Sequence, residues 1–321
     1  MKENIHQINR RDFLRKSLVV GAAAAAFPMA GRGAEEPVKT NGPAKTNEMV
    51  MTNEPAKTAG LAKTRHANDI IELGPGKLKV SRMAIGTGTY GAGGSSNQLR
   101  ALGVDGVADL WWSGFDKGVF LLDTADTYGT HGAIKVLLKK VPREKVVIMT
   151  KTEAESAAEM KADLDRYKLE MGVDHIDIVL LHSIFDSNWE QTYKAQMDVL
   201  SEAKSKKTVG MVGLSCHEVG VVEAAIKSAW VDVVMARINA FGIRMDDRTS
   251  VMLPLLAKVK AAGKGLVGIK TLGEGELVGN LNDALKFALG TSPVDCFSIG
   301  CESKDQFQDN FDRIAKLAVP V

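Results

Sequence analysis

Eight short apolar runs, each followed by a longer stretch, constrain this chain more than any other feature. They cover residues 83–89, 119–125, 146–152, 176–182, 209–215, 231–239, 266–272 and 296–300. Most read as nearly continuous Val, Ile, Leu and Met, the pattern of strands buried on both faces of a parallel sheet. Helical spacing of apolar residues is clearest over 156–171, 189–205, 219–229, 250–262 and 304–317. Eight such units predict an α/β fold, a closed (β/α)8 TIM barrel over residues 69–321. An open doubly wound sheet would give a shorter alternation and a phosphate fingerprint after its first strand. Gly86, Gly88 and Gly91 superficially resemble that fingerprint, but no acidic residue closes a following strand in the required way.

Ahead of the barrel, residues 70–73 and 78–80 flank Gly74-Pro75-Gly76-Lys77, which predicts a β-hairpin. Residues 35–68 repeat a short theme, Pro43-Ala44-Lys45-Thr46 and Pro55-Ala56-Lys57-Thr58 among them, with few large apolar side chains. Such a segment cannot bury enough surface to offset its chain entropy, and a flexible spacer is expected. Residues 1–34 carry Arg10-Arg11-Asp12-Phe13-Leu14-Arg15-Lys16, an apolar stretch over 18–27 and small residues around Ala30. This resembles a twin-arginine export signal, which implies the export machinery as a partner and a periplasmic or otherwise extracytoplasmic location. An uncleaved signal would leave a membrane tether, but the apolar run is well short of the ~20 residues of a stable span.

Charged residues make up 25% of the chain, hydrophobic residues 45%, and the net charge is +2. That balance suits a soluble globular domain and excludes a dense basic face for nucleic acid. Cys216, Cys296 and Cys301 have no Cys-x-x-Cys spacing, so neither a metal site nor a disulfide framework is expected.

Chemistry enters at the strand ends, where Asp123, Tyr128, Lys151 and His182 stand after the second, third and fourth runs. An apolar strand would not choose these residues for packing, and barrel geometry brings strand C-terminal ends to one mouth. The stretch Asp123-Thr124-Ala125-Asp126-Thr127-Tyr128-Gly129, with Met149-Thr150-Lys151-Thr152 and Val179-Leu180-Leu181-His182, resembles the aldo-keto reductase superfamily over roughly residues 70–318. That resemblance implies hydride transfer between a nicotinamide cofactor, NADP or NAD, and a carbonyl, alcohol or sugar substrate. Tyr128 would be the general acid/base, and Lys151 would lower its pKa. Asp123 would hold Lys151 charged, and His182 would orient the carbonyl. A Schiff-base aldolase or isomerase would need a neutral Lys151, which Asp123 opposes. The competing class is an exported barrel that binds a cofactor or small ligand with little turnover.

The resemblance also implies cofactor contacts at Gly88, Thr89 and Tyr90, at Asp123, Ser215 and Met235, and at Lys270, Leu272, Gly273, Glu274 and Gly275. Gly300, Glu302, Gln306 and Asn310 complete the set after the eighth strand, where this fold usually binds phosphate. Cys216, Met235 and Ile269 depart from the residues usual around the nicotinamide, with Arg237 and Asn239 placed to compensate. Gly300 and Gln306 stand where relatives that favour NADP carry cations, and Glu302 adds negative charge. NAD is therefore expected to be accepted at least as well as NADP.

Overall fold

The computed structural model describes residues 64–290, 293–317 and 319. The expected export segment and the spacer up to residue 63 lie outside them. The spacer was expected to run to residue 68, but residues 64–68 belong to the folded body. Ala67 is buried and its carbonyl accepts from the Met83 amide, while Arg65 donates from its amide to the Val319 carbonyl and from its guanidinium to the Leu289 carbonyl. The Lys-Thr theme stops at Thr64, and the residues that follow supply a buriable methyl and a turn in which the His66 amide donates to Asp69.

Eight parallel strands form the barrel: β3 (Met83–Gly86), β4 (Leu121–Asp123), β5 (Val147–Thr152), β6 (Ile176–Ile184), β7 (Val209–Cys216), β8 (Val233–Arg237), β9 (Gly265–Ile269) and β10 (Cys296–Gly300). They follow in chain order around a closed cycle in which β10 pairs with β3. Alternate residues point in and out. Ala84, Leu121, Met149, Leu180, Met235 and Val267 fill the interior, while Ile85, Leu122, Ile148, Leu181, Val234 and Leu266 pack under the helices. Burial on both faces is why the runs read as continuously apolar. The hairpin β1 (Ile70–Leu73) and β2 (Leu78–Ser81) pairs antiparallel and drives Leu73 and Val80 into the interior cluster. Its Gly74, at φ +66, lies against the start of β9 and the carbonyl of Asp232, so the hairpin closes the N-terminal end of the barrel.

Helices begin where serines accept backbone N–H groups that the helix leaves open: Ser96 from Leu99, Ser156 from Glu159 and Ser303 from Gln306. The expected helix 189–205 is two pieces, Trp189–Thr192 and Lys194–Ser205, because the first turn is tied back to Asp186 through Thr192 and Asn188. The seventh barrel strand, expected to reach 272, stops at Ile269 because Lys270 turns left-handed. Tyr90, Ser183, Arg244, Lys270 and Glu274 all hold positive φ, and all lie at the C-terminal end of the barrel. Such conformations cost energy and gather at functional sites. No helix among the described residues is long and apolar enough to cross a membrane.

Candidate active site

Asp123 ends β4, opposite Gly86 of β3 and Met149 of β5. Lys151 lies two residues further along β5 than Met149, so it shares that residue's inward face. Its ammonium is 2.5 Å from Asp123 Oδ1 and 2.8 Å from the Thr124 carbonyl, and the side chain is only 2% exposed. The second Asp123 oxygen accepts from Ser298 Oγ at 2.5 Å. Gly86 makes room for that bond, since a Cβ there would sit 2.7 Å from Ser298 Oγ. Burial opposes the Lys151 charge, yet Asp123 and Tyr128 outweigh it and hold the ammonium above the ordinary lysine value.

Tyr128 closes a 3-10 turn, Asp126–Tyr128, that Gly129 ends in a left-handed conformation. The turn is anchored from behind, where the Arg166 guanidinium donates to both Asp126 oxygens at 2.7 and 2.8 Å. The same guanidinium bonds Asp163 and Glu170, and His131 spans from Glu170 to Thr150 beside Lys151. Asp126, His131 and Glu170 bring ligand-type atoms within 4.8 Å of one another, but Arg166 holds both carboxylates and both imidazole nitrogens are engaged. The group is an ion-pair network that fixes the Tyr128 turn.

The phenol oxygen lies 3.3 Å from His182 Nε2, the two rings meet edge-on, and the Lys151 ammonium is 4.8 Å from the Tyr128 ring centre. His182 takes its direction from an irregularity in β6 between Leu181 and Ile184, where Ser183 is left-handed and its amide donates to Ser215 Oγ at 2.7 Å. All four residues read from the strand ends thus converge. Lys151 pulls the pKa of Tyr128 down, as expected, but burial outweighs that pull and Asp123 adds to the rise, so the value stands above the ordinary one.

Gly88 and Gly91 pack on the Tyr128 ring, and a Cβ at Gly88 would fall 2.3 Å from two ring carbons. Gly88→Ala must therefore displace the phenol. Turnover at this site is expected to fall on the order of 100-fold, the scale of an ångström's misplacement. Circular dichroism should show the barrel intact, and unchanged kinetics would refute the packing argument.

The other expected contacts divide. Thr89 is bonded to Gln98 from both its amide and its hydroxyl, and Tyr90 is 60% exposed at the rim. Gly300 is exposed beside Thr89, whereas Asn310 is buried against Cys301. Met235 lies wholly within the interior cluster and Ile269 packs against it, so neither offers a polar group. Lys270, expected at the cofactor, pairs with Glu274. Arg237 and Asn239 do not compensate for Met235. Arg237 is held by Asp246 and the His217 carbonyl, and Asn239 is spent on the backbone of residues 241–243 and of Lys270. In the loop Leu272-Gly273-Glu274-Gly275, the amides of Gly273 and Gly275 bond within the turn. Glu302 accepts from Asn97 at 2.7 Å, Asn97 in turn accepts from Arg100, and Gln306 accepts from the Glu302 amide.

Sequence reasoning missed Ser298, whose signal was a hydroxyl inside an apolar strand, and the Arg166–Asp126 anchor, which has no local signal.

Residues 82–318 match the Aldo/keto reductase family. The chain belongs to that family. As an aldo/keto reductase it is similar to methylglyoxal reductase YeaE of Escherichia coli, at 30% identity over 132 residues, 40% of this chain and 45% of the relative. It is also similar to the NADH-specific methylglyoxal reductase of the same organism, at 24% identity over 214 residues, 58% of this chain and 62% of the relative. The chain thus spans less than two thirds of either relative. A putative aldo-keto reductase from Pseudomonas aeruginosa shares the fold with a TM-score of 0.64 at 22% identity, covering 79% of this chain and 97% of that one. The holo form of aldo-keto reductase AKR11C1 from Bacillus halodurans does so with a TM-score of 0.61 at 19% identity, covering 80% and 96%.

Proposed function

We propose that this aldo/keto reductase reduces small reactive carbonyl compounds of the methylglyoxal kind, with Tyr128 as the proton donor and NADH accepted at least as well as NADPH. The observation that carries the reading is the buried Asp123–Lys151 pair beneath a phenol that contacts His182. A phenol is protonated through neutral pH, the form a donor needs. Lys151, charged and fixed by Asp123, stabilises the phenolate left behind. His182 Nε2, within bonding reach of the phenol, orients the carbonyl oxygen toward it. The names of the two Escherichia coli relatives support the substrate class.

A nicotinamide dinucleotide fits the mouth in part. Gly275 faces open space and Gly300 is exposed, so a pyrophosphate can come close to the backbone there. Bound there, the reduced cofactor would supply hydride to the carbonyl carbon. Glu302, with Lys270 already neutralised by Glu274, leaves a poor place for a 2′-phosphate and an acceptor for a free 2′-hydroxyl. Fluorescence titration is expected to give a dissociation constant for NADH no weaker than for NADPH, and Glu302→Arg should shift the ratio toward NADPH by about tenfold. Exclusive NADPH binding by the natural chain would refute this. The activity itself is tested by NADH and NADPH oxidation over a panel of small aldehydes, ketones and sugars, with methylglyoxal among the best substrates. A binding role without turnover is the second reading, favoured by the apolar surroundings of Cys216, Met235 and Ile269, where ring contacts to the nicotinamide were expected; cofactor binding with no oxidation on any carbonyl would select it.

A further inference from the structure

We propose that the N-terminal end of the barrel, opposite the catalytic mouth, is a basic docking face for an anionic phospholipid surface, an inference independent of the reductase reading above. In this fold the strands run toward the mouth and the helices run back, so helix ends and helix-to-strand connections gather around the hairpin that closes the far end. Residues 64–82, 113–120, 135–146, 168–177, 202–208, 227–232, 258–264, 286–290, 293–295 and 313–316 make up that end. They hold 21 of the 31 Lys and Arg in residues 64–321, but only 10 of the 33 Asp and Glu. A nearly neutral body is thus divided, with an excess of 11 positive charges at this end and of 13 negative charges over the rest.

The acids at this end are largely turned inward, which leaves the outer surface more positive still. Asp177, Asp232 and Asp295 each accept from a backbone amide of the neighbouring strand, at Ile148, Val212 and Leu266, and each is held by a cation, Arg143, Lys204 and Lys260. Lys79, Lys139, Lys145, Lys207, Lys227 and Lys258 stand outward instead, all exposed and none in an ion pair among the described residues. Helix C-termini favour cations, but that effect fades beyond the last turn. Lys77 and Lys79 on the hairpin, and Lys145 in the connection before β5, belong to no α-helix. The chemistry favours a lipid surface over nucleic acid. Arg65, Arg82, Arg143 and Arg313, the groups suited to gripping single phosphates, are spent on partners within the body. What remains outward is lysine, a compact charge on a long stem, spread around a broad end with no helix aimed at a groove. The chain also enters the folded body here, where Asn68 donates to the Lys117 carbonyl and Met83 to the Ala67 carbonyl. Residues 1–63, with their apolar stretch over 18–27, are therefore attached at the basic end rather than beside the mouth. With this end on lipid, the mouth faces the aqueous side and stays open to a soluble substrate.

The test is co-sedimentation of the full chain with phosphatidylcholine vesicles and with vesicles of which about one third of the lipid is phosphatidylglycerol. The natural chain is expected to sediment with the anionic vesicles alone, and to be released as salt rises from about 0.05 M to about 0.5 M. Lys139→Glu, Lys145→Glu and Lys207→Glu together should weaken that binding about 100-fold. The control is Lys161→Glu, Lys194→Glu and Arg248→Glu together, placed at the mouth-side starts of helices Ala157–Met171, Lys194–Ser205 and Thr249–Ala261. It changes the net charge equally and should leave binding within about threefold, because charges beyond a Debye length of the lipid are screened. Residues 1–63 are the same in all three proteins, so their own charges cannot produce the difference. Circular dichroism should match throughout, since the replaced side chains are exposed. Three results would each overturn the proposal: no binding of the natural chain to anionic vesicles in low salt, equal weakening by the two triple variants, or full binding by the first. A DNA duplex bound more tightly than the vesicles at equal salt would assign the face to nucleic acid and overturn it as well.

Discussion

Tyr128→Phe is expected to lower carbonyl turnover about a thousandfold, within the range that a positioned general acid contributes. The substitution removes one oxygen atom and leaves the ring on Gly88 and Gly91, so the loop they form has no reason to move. Lys151 and Asp123 keep their mutual bond, and the cofactor dissociation constant should stay within about twofold. Steady-state kinetics with fluorescence titration on the same sample checks both halves. A loss of cofactor binding parallel to the loss of turnover would mean that the phenol is structural rather than chemical.

The second large effect belongs to Lys151. Lys151→Met puts a side chain of similar length into a fully enclosed position and leaves Asp123 charged with only Ser298 as a partner among those described. Breaking a buried pair from one side costs about 3–5 kcal/mol, because the surviving charge is neither solvated nor compensated. Urea unfolding should show that loss. Replacing both partners, Lys151→Met with Asp123→Leu, should recover much of the stability, since two apolar groups can replace a buried pair at little cost. Turnover should not recover, because nothing then stabilises the phenolate. Stability and catalysis are thereby separated at one pair of residues. The pH dependence has a definite sign. Folding raises the Lys151 value, so its contribution is complete below the ordinary lysine value and fades only as pH climbs through the raised one. The difference between natural and Lys151→Met stability should therefore be flat around neutral pH and shrink only in strong alkali.

The barrel was legible because its strands are buried on both faces, which leaves an unbroken apolar record at Val147–Met149 or Ile178–Leu181. Asp123, Lys151 and His182 were legible for the opposite reason, since each stands at or near the end of an apolar run as a group that packing does not favour, whereas Tyr128, in the turn beyond β4, was legible only through the family resemblance. Helix Asn97–Phe115 was not among the clear patterns, because Gly103 interrupts it at φ +65 and Gly106 follows. The partners of Lys270, Arg237 and Asn239 were not legible because they come from loops without periodicity. Glu274 neutralises the first, Asp246 holds the second, and Asn239 is absorbed by backbone groups from 241–243 and 270. The direction of the Tyr128 shift was not legible for a different reason. It is the sum of burial, the downward pull of Lys151 and the upward push of Asp123 and Glu153, and burial is the largest of them.

Following the transferred hydrogen tests the four-residue site most directly. NADH deuterated at its transferring position is mixed with the purified chain and methylglyoxal, and the alcohol product is analysed for its label. Deuterium on the new carbinol carbon, abolished to within background in Tyr128→Phe, is the expected result. Bound NADH that is never oxidised, or a product that takes its carbon-bound hydrogen from water, would contradict it.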